Sequence, residues 1–186
     1  MTKKEEIIYA TLDLASEYGL KSLSMSQIAE KVGIKKPSLY NHFESKEELI
    51  KEMYKLIREK SKESIPLKKI EGSKKEIINN LVLNYKKMVN NESLIKFYKV
   101  IYSERTTNKE AANIMVEETK KMIEATKILF KTLNIDNIDV VAPTFALTIH
   151  SIIDYELDCK MANEKYDKDL LKKYIEEFCD KYCKEW

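Results

Sequence analysis

Apolar positions fall three and four apart through most of the chain, the spacing of helices that each bury one stripe. Ile7, Ile8, Ala10, Thr11, Leu12, Leu14 and Ala15 supply that stripe for a first helix over residues 3–18, and Gly19 follows as its stop. A short second helix over 25–31 turns Ile28 and Ala29 inward, and Gly33 breaks it. A third opens near Lys36, where Pro37 suits the first turn, and ends at Phe43. Ser45 opens a fourth that reaches about residue 61, and SKESIPLKKIEGS then reads as a loop or broken turn around Pro66 and Gly72. Five more helices are predicted beyond it. They span 74–90 with Tyr85 among its inward residues, 92–104 with Phe97, Tyr98 and Tyr102, 108–133, 140–160, and 167–184. Residues 140–153 are apolar nearly all round, which places them deep in a core or in an interface. The last helix has a well-defined stripe through Leu170, Leu171, Tyr174, Ile175, Phe178, Cys179 and Tyr182.

Helix starts carry a second signal, a hydroxyl residue followed three positions later by Glu or Gln. Thr2/Glu5, Ser24/Gln27, Ser45/Glu48, Ser73/Glu76 and Thr107/Glu110 all have it. In such a box each side chain satisfies a backbone N–H that the helix end leaves open. Five boxes, each before a periodic segment, make a consistent set of boundaries.

Composition agrees with an all-α chain: 186 residues hold only three glycines and three prolines, too few breakers for many short elements. The formal net charge of +2 is small, so nucleic-acid binding has to be argued from where the charges sit. No apolar run approaches the roughly 20 residues that span a bilayer. Acidic residues in MTKKEEIIYA stand where a signal peptide has its apolar segment, so a cytoplasmic location is expected. Cys159, Cys179 and Cys183 are too few and too odd for a disulfide framework. With only His42 and His150 to join them, the expectation is reduced, partly buried thiols and no metal site. Phosphate loops and nucleophile elbows are absent, so neither catalysis nor a cofactor is expected.

Residues 24–49, SMSQIAEKVGIKKPSLYNHFESKEEL, carry the most specific pattern. Two short helices joined by a glycine-containing turn, behind a packing helix, make a helix-turn-helix. In that motif the second helix enters the DNA major groove. Leu39 and Phe43 can pack on Ile28 and Ala29, which leaves Lys36, Pro37, Ser38, Tyr40, Asn41 and His42 facing outward. Lysine, hydroxyl and amide groups suit phosphates and base edges.

The stretch resembles the DNA-binding domain of tetracycline-repressor-like (TetR) regulators, in Ile28-Ala29, Gly33-Ile34, Leu39-Tyr40, His42-Phe43, Lys46 and Leu49, with Lys3–Gly19 similar to the family's first helix. The resemblance covers about the first third of the chain. It implies phosphate contacts from Tyr40, His42 and Lys46, and groove contacts from Lys36, Pro37, Ser38 and Asn41. Lys35 stands where the family commonly has a capping serine or threonine, so capping is expected to be weaker there or Lys35 to add a phosphate contact.

The implied architecture is a helix-turn-helix domain over 1–46 and a helical ligand-binding and dimerisation domain over 47–186. The implied partners are a near-palindromic duplex operator, a small-molecule effector and a second copy held through the last two helices, with no membrane. Tyr155, Leu157 and Phe178 are interface candidates. An effector pocket needs an apolar wall with a few polar groups, for which Tyr85, Met88, Phe97, Tyr98, Tyr102, Met115, Met122, Phe145 and His150 are candidates. His150, inside FALTIHSIID, needs a polar partner, and Asp154 one turn later is in reach. The rival reading is an all-helical protein-interaction module that has lost DNA binding. Neutralisation of Lys35, Lys36 and Lys46 by Glu44, Glu47 and Glu48 would favour it.

Overall fold

The computed structural model describes residues 1–63, 71–89 and 91–183, with side chains described for 1–60, 71–87 and 91–183. Among these residues are nine α-helices, one 3-10 turn and no strand. They are α1 (Lys3–Tyr18), the 3-10 turn Leu20–Ser22, α2 (Met25–Val32), α3 (Lys36–Tyr40), α4 (Lys46–Glu63), α5 (Lys74–Val89), α6 (Glu92–Glu104), α7 (Lys109–Thr132), α8 (Ile138–Ala162) and α9 (Leu170–Tyr182). The expected all-α order of elements is therefore present. The loop expected after α4 falls mostly outside the described residues.

The capping signals had three outcomes. Thr2/Glu5 and Ser24/Gln27 form complete boxes, and so does Ser73/Glu76, where Glu76 Oε2 accepts from Ser73 N at 2.8 Å and Glu76 N donates to Ser73 Oγ at 3.3 Å. Ser45 accepts from Glu48 N, but the Glu48 carboxylate reaches one residue further back, to Glu44 N. Thr107/Glu110 is not a box. Asn108 Oδ1 accepts from Glu110 N and Ala111 N, while the Thr107 hydroxyl turns back to the Glu104 carbonyl. An Asn side chain caps as well as Thr and stands one residue nearer the helix.

The chain divides into two compact units. In the first, α1 packs against α2, α4 and α6, and α2 packs against α3. Ile7, Leu12, Ile28, Leu39, Phe43, Leu49, Met53, Ile57, Phe97 and Ile101 are buried in its core. Each such side chain contributes about 1.5–3 kcal/mol on removal from water. The polar link between α1 and α6 is Lys96, whose Nζ lies 2.8 Å from Asp13 Oδ1 and 2.6 Å from Glu92 Oε1. Hydrogen bonds to Asp13 and then Glu92 hold the ammonium protonated above its ordinary range.

The second unit takes α5 up to Lys86, α7 from Val116, α8 and α9. Phe145 and Phe178 have ring centroids 4.4 Å apart, and Phe130 lies 5.2 Å from Phe145 and 5.4 Å from Phe178. Tyr174 and Tyr182 extend this aromatic core. One face of α8 is buried through Val141, Ala142, Phe145, Ala146, Ile149 and Ile153. The other exposes Val140, Leu147 and Tyr155, which explains why the segment reads as apolar all round.

Candidate nucleic-acid interface

Three local devices hold α3 in place. Gly33 adopts a left-handed conformation (φ 70°, ψ 31°) and its N–H returns to the Ala29 and Glu30 carbonyls, closing α2. Ile34 N then donates to Ala29 O at 3.0 Å, the reversal that launches α3. Leu39 and Phe43, both buried, fasten α3 beneath Ile28 and Ala29.

With its apolar side fixed inward, α3 turns its polar residues out. Lys35, Lys36, Pro37, Ser38, Tyr40 and Asn41 are exposed, and His42 and Lys46 are half-buried. The helix is shorter than the expected 36–43. It ends at Tyr40, and Asn41–Phe43 continue as a turn in which His42 N and Phe43 N both donate to Leu39 O. No side chain caps α3 at Lys35, as expected of a lysine in that place.

Lys46 has a role that sequence reasoning missed. Its Nζ donates to Leu20 O at 2.6 Å and to Leu23 O at 2.5 Å. It therefore ties the start of α4 to the turn that precedes α2, and so sets the mutual position of the helix-turn-helix elements. An ammonium has three donors, and these two bonds use two of them. The acceptors lie more than twenty residues back, and no local spacing signals them. Glu48, which could have neutralised this face, is directed at the Glu44 N–H, 2.6 Å away.

The effector candidates fall into separate groups. Phe97, Tyr98 and Tyr102 belong to the first unit, where Phe97 meets Tyr98 edge-on at 5.6 Å and Arg105 lies over the Tyr102 ring. Tyr54, absent from the expected set, joins them. Its ring meets Phe97 edge-on at 6.0 Å, and its buried hydroxyl has no hydrogen-bond partner among the described residues. Burial, then Glu104 and Glu110, push that phenol's pKa up. The available signal was a polar tip between Met53 and Ile57 on the inward face of α4.

Tyr85, Met122, Phe145 and His150 belong to the second unit. There Tyr85 Oη and His150 Nδ1 are 2.6 Å apart, and His150 Nε2 lies 3.4 Å from Asp154 Oδ2. The partner that His150 required is thus supplied on both ring nitrogens. Phe145 packs within the aromatic core and Met122 is half-buried. The Met88 side chain lies outside the described residues. Among the described residues no cluster of three or more His, Cys, Asp or Glu side chains can hold a metal, and no helix is long and apolar enough to cross a membrane.

This geometry agrees with the similarity to known proteins. Residues 7–53 match the bacterial regulatory proteins of the tetR family. Over 69 residues the chain is 36% identical to the class G tetracycline repressor protein of Vibrio anguillarum, a match covering 36% of this chain and 33% of the repressor. The matched segment thus spans about a third of that relative's length. Along its whole length the chain superposes on a transcriptional regulator from Rhodococcus sp. Rha1, with TM-score 0.74, 14% identity and 100% of both chains covered. It also resembles the flavonoid-responsive regulator FrrA, with TM-score 0.66, 19% identity and 94% of this chain and 91% of that one covered. At these identities the structural likeness establishes the fold. The tetR-family match is thus confined to the helix-turn-helix segment, and the likeness along the rest of the chain is one of fold.

Proposed function

We propose that the protein is a ligand-responsive transcriptional regulator that binds a near-palindromic duplex operator as a homodimer, acting as a repressor that its effector releases. The observation that carries this reading is the outward face of α3, where Lys35, Lys36, Ser38, Tyr40 and Asn41 project from a helix fastened by buried Leu39 and Phe43. A face kept only for solvent does not need a helix so tightly positioned. Phosphate contacts are assigned to Tyr40, His42 and Lys46, with Lys35 adding one, and groove contacts to Lys36, Pro37, Ser38 and Asn41.

A homodimer would pair α8 and α9 of two copies. In support, Leu147, Thr148, Ser151, Ile152 and Tyr155 of α8, with Leu170 of α9, line one open groove of about 370 Å³ on the second unit. Two-fold symmetry then requires recognition helices about 34–36 Å apart on the DNA. Selection from random duplexes, together with sedimentation of the free protein, tests both claims. The expected result is a dimer and an inverted-repeat consensus; a monomer at all concentrations with no preferred sequence overturns the proposal.

Two separate candidate effector sites are kept, Tyr98 beside Phe97 and Tyr54 within the first unit, and the Tyr85–His150 pair within the second. An apolar effector with an aromatic or hydroxyl group matches these side chains, as the flavonoid response of FrrA illustrates for that neighbour. A ligand shifts operator binding only by its differential affinity for the two states, about 1.4 kcal/mol for each tenfold. Tyr98→Ala is expected to cut the effector response at least tenfold if the first unit holds the effector, and His150→Ala if the second does, each leaving ligand-free operator affinity within about twofold. Titration of operator binding with and without effector checks this, and full response in both variants removes these residues from the site.

A further inference from the structure

The second unit carries three thiols that the proposed operator and effector contacts do not use, two of them close in sequence. Cys179 and Cys183 stand four residues apart at the end of α9, so both side chains leave on one face. Both line one surface groove of about 420 Å³ with Lys75 and Asp180. The third cysteine, Cys159, sits on α8 outside that lining.

We propose that Cys179 and Cys183 form a binding site for a thiophilic soft cation that two sulfurs satisfy, Cu(I) being the physiological representative of the class. Hard cations are excluded because they take six or more oxygen ligands, and Asp180 is the one carboxylate in the lining. Structural zinc takes four ligands, and no group of three His, Cys, Asp or Glu side chains converges among the described residues. Two soft donors leave a soft ion of low coordination. Metal–sulfur bonds of about 2.3 Å give a two-coordinate site a span of at most about 4.6 Å. Side chains at i and i+4 start about 5–6 Å apart at Cβ, and both of these thiols line the same groove.

Binding forms two metal–sulfur bonds and releases two thiol protons to solvent, with no change of oxidation state. The net charge left on a Cu(I) dithiolate is −1, and Lys75 in the lining offsets it. Burial, then the charge of Cys183 beside it, pushes the Cys179 thiol up to about 12. Both thiols are therefore protonated at neutral pH and slow to oxidise. A soft cation displaces those protons, so uptake strengthens as pH rises.

The test uses the full chain, reduced, freed of reductant and kept anaerobic, with Cu(I) offered as its coloured bicinchoninate complex. The protein is expected to withdraw one equivalent of Cu(I), and Cys159→Ser to do the same. Cys179→Ser and Cys183→Ala each remove one arm of the chelate and are expected to weaken uptake about a hundredfold or more. Cys183→Ala alters a half-buried position, so this arm stands even if the buried Cys179 variant loses helicity. Retention of the full equivalent by the Cys179→Ser/Cys183→Ser double variant overturns the proposal. So does loss of uptake in Cys159→Ser, or no withdrawal together with a two-dalton mass loss from disulfide formation.

Discussion

Lys46→Ala is expected to weaken operator binding about sixtyfold at 0.1 M salt and to lower the stability of the first unit by about 1–3 kcal/mol. The two effects have separate causes. One Lys–phosphate contact contributes about 0.9 to the log–log salt slope, so two contacts in a dimer contribute about 1.8, and that slope from a 1 M reference is about sixtyfold at 0.1 M. The stability loss arises because Leu23 O loses the ammonium that satisfies it and Leu20 O keeps only the 3.4 Å bond from Leu23 N, and an unsatisfied, partly buried carbonyl costs about that range. Salt-dependent titration and chemical denaturation of the same variant separate the contributions. A slope lowered by about 1.8 together with reduced stability supports both roles. An unchanged slope beside reduced stability would make Lys46 a positioning residue only. Lys36→Ala is expected to behave differently, changing base preference as well as affinity, because its side chain is assigned to the groove.

What could be read in the sequence was local. The stripe of α1, the stops at Gly19 and Gly33 and the boxes at Thr2, Ser24 and Ser73 depend on residues within four positions of one another, where spacing alone determines who meets whom. The inward turn of Leu39 and Phe43 followed from the same rule, and the exposed set on α3 followed from that. His150 with Asp154 was legible for this reason too, one turn apart on α8. Other features depended on contacts distant in the chain. Tyr85 meets His150 across 65 positions, and Lys46 meets Leu20 and Leu23 across 26 and 23. Competing local partners were the other source of error. Asn108 displaced Thr107 as a cap, and Leu39 gathered the N–H groups of His42 and Phe43 in a turn that ended α3 early.

Phe178→Ala is expected to lower the stability of the second unit by about 3–5 kcal/mol, with no dependence on protein concentration. The stripe of α9 made Phe178 a candidate for contact with a second copy. Its ring instead lies 4.4 Å from Phe145, 4.8 Å from Tyr182 and 5.4 Å from Phe130, measured between centroids. It is only 7% exposed in the single chain. Truncating a ring so enclosed forfeits its transfer free energy and leaves a cavity that the neighbouring rings fill only in part. At about 2–4 °C per kcal/mol for a chain of this size, the thermal midpoint should fall by roughly 10 °C. Tyr155 provides the contrast, since it is 49% exposed and lines the open groove on α8. Tyr155→Ala is expected to leave the high-dilution midpoint nearly unchanged and to shift the monomer–dimer equilibrium instead. Thermal scans over a hundredfold range of concentration distinguish the two. If the Phe178→Ala deficit vanished on dilution while that of Tyr155→Ala persisted, the core and interface assignments would have to be exchanged.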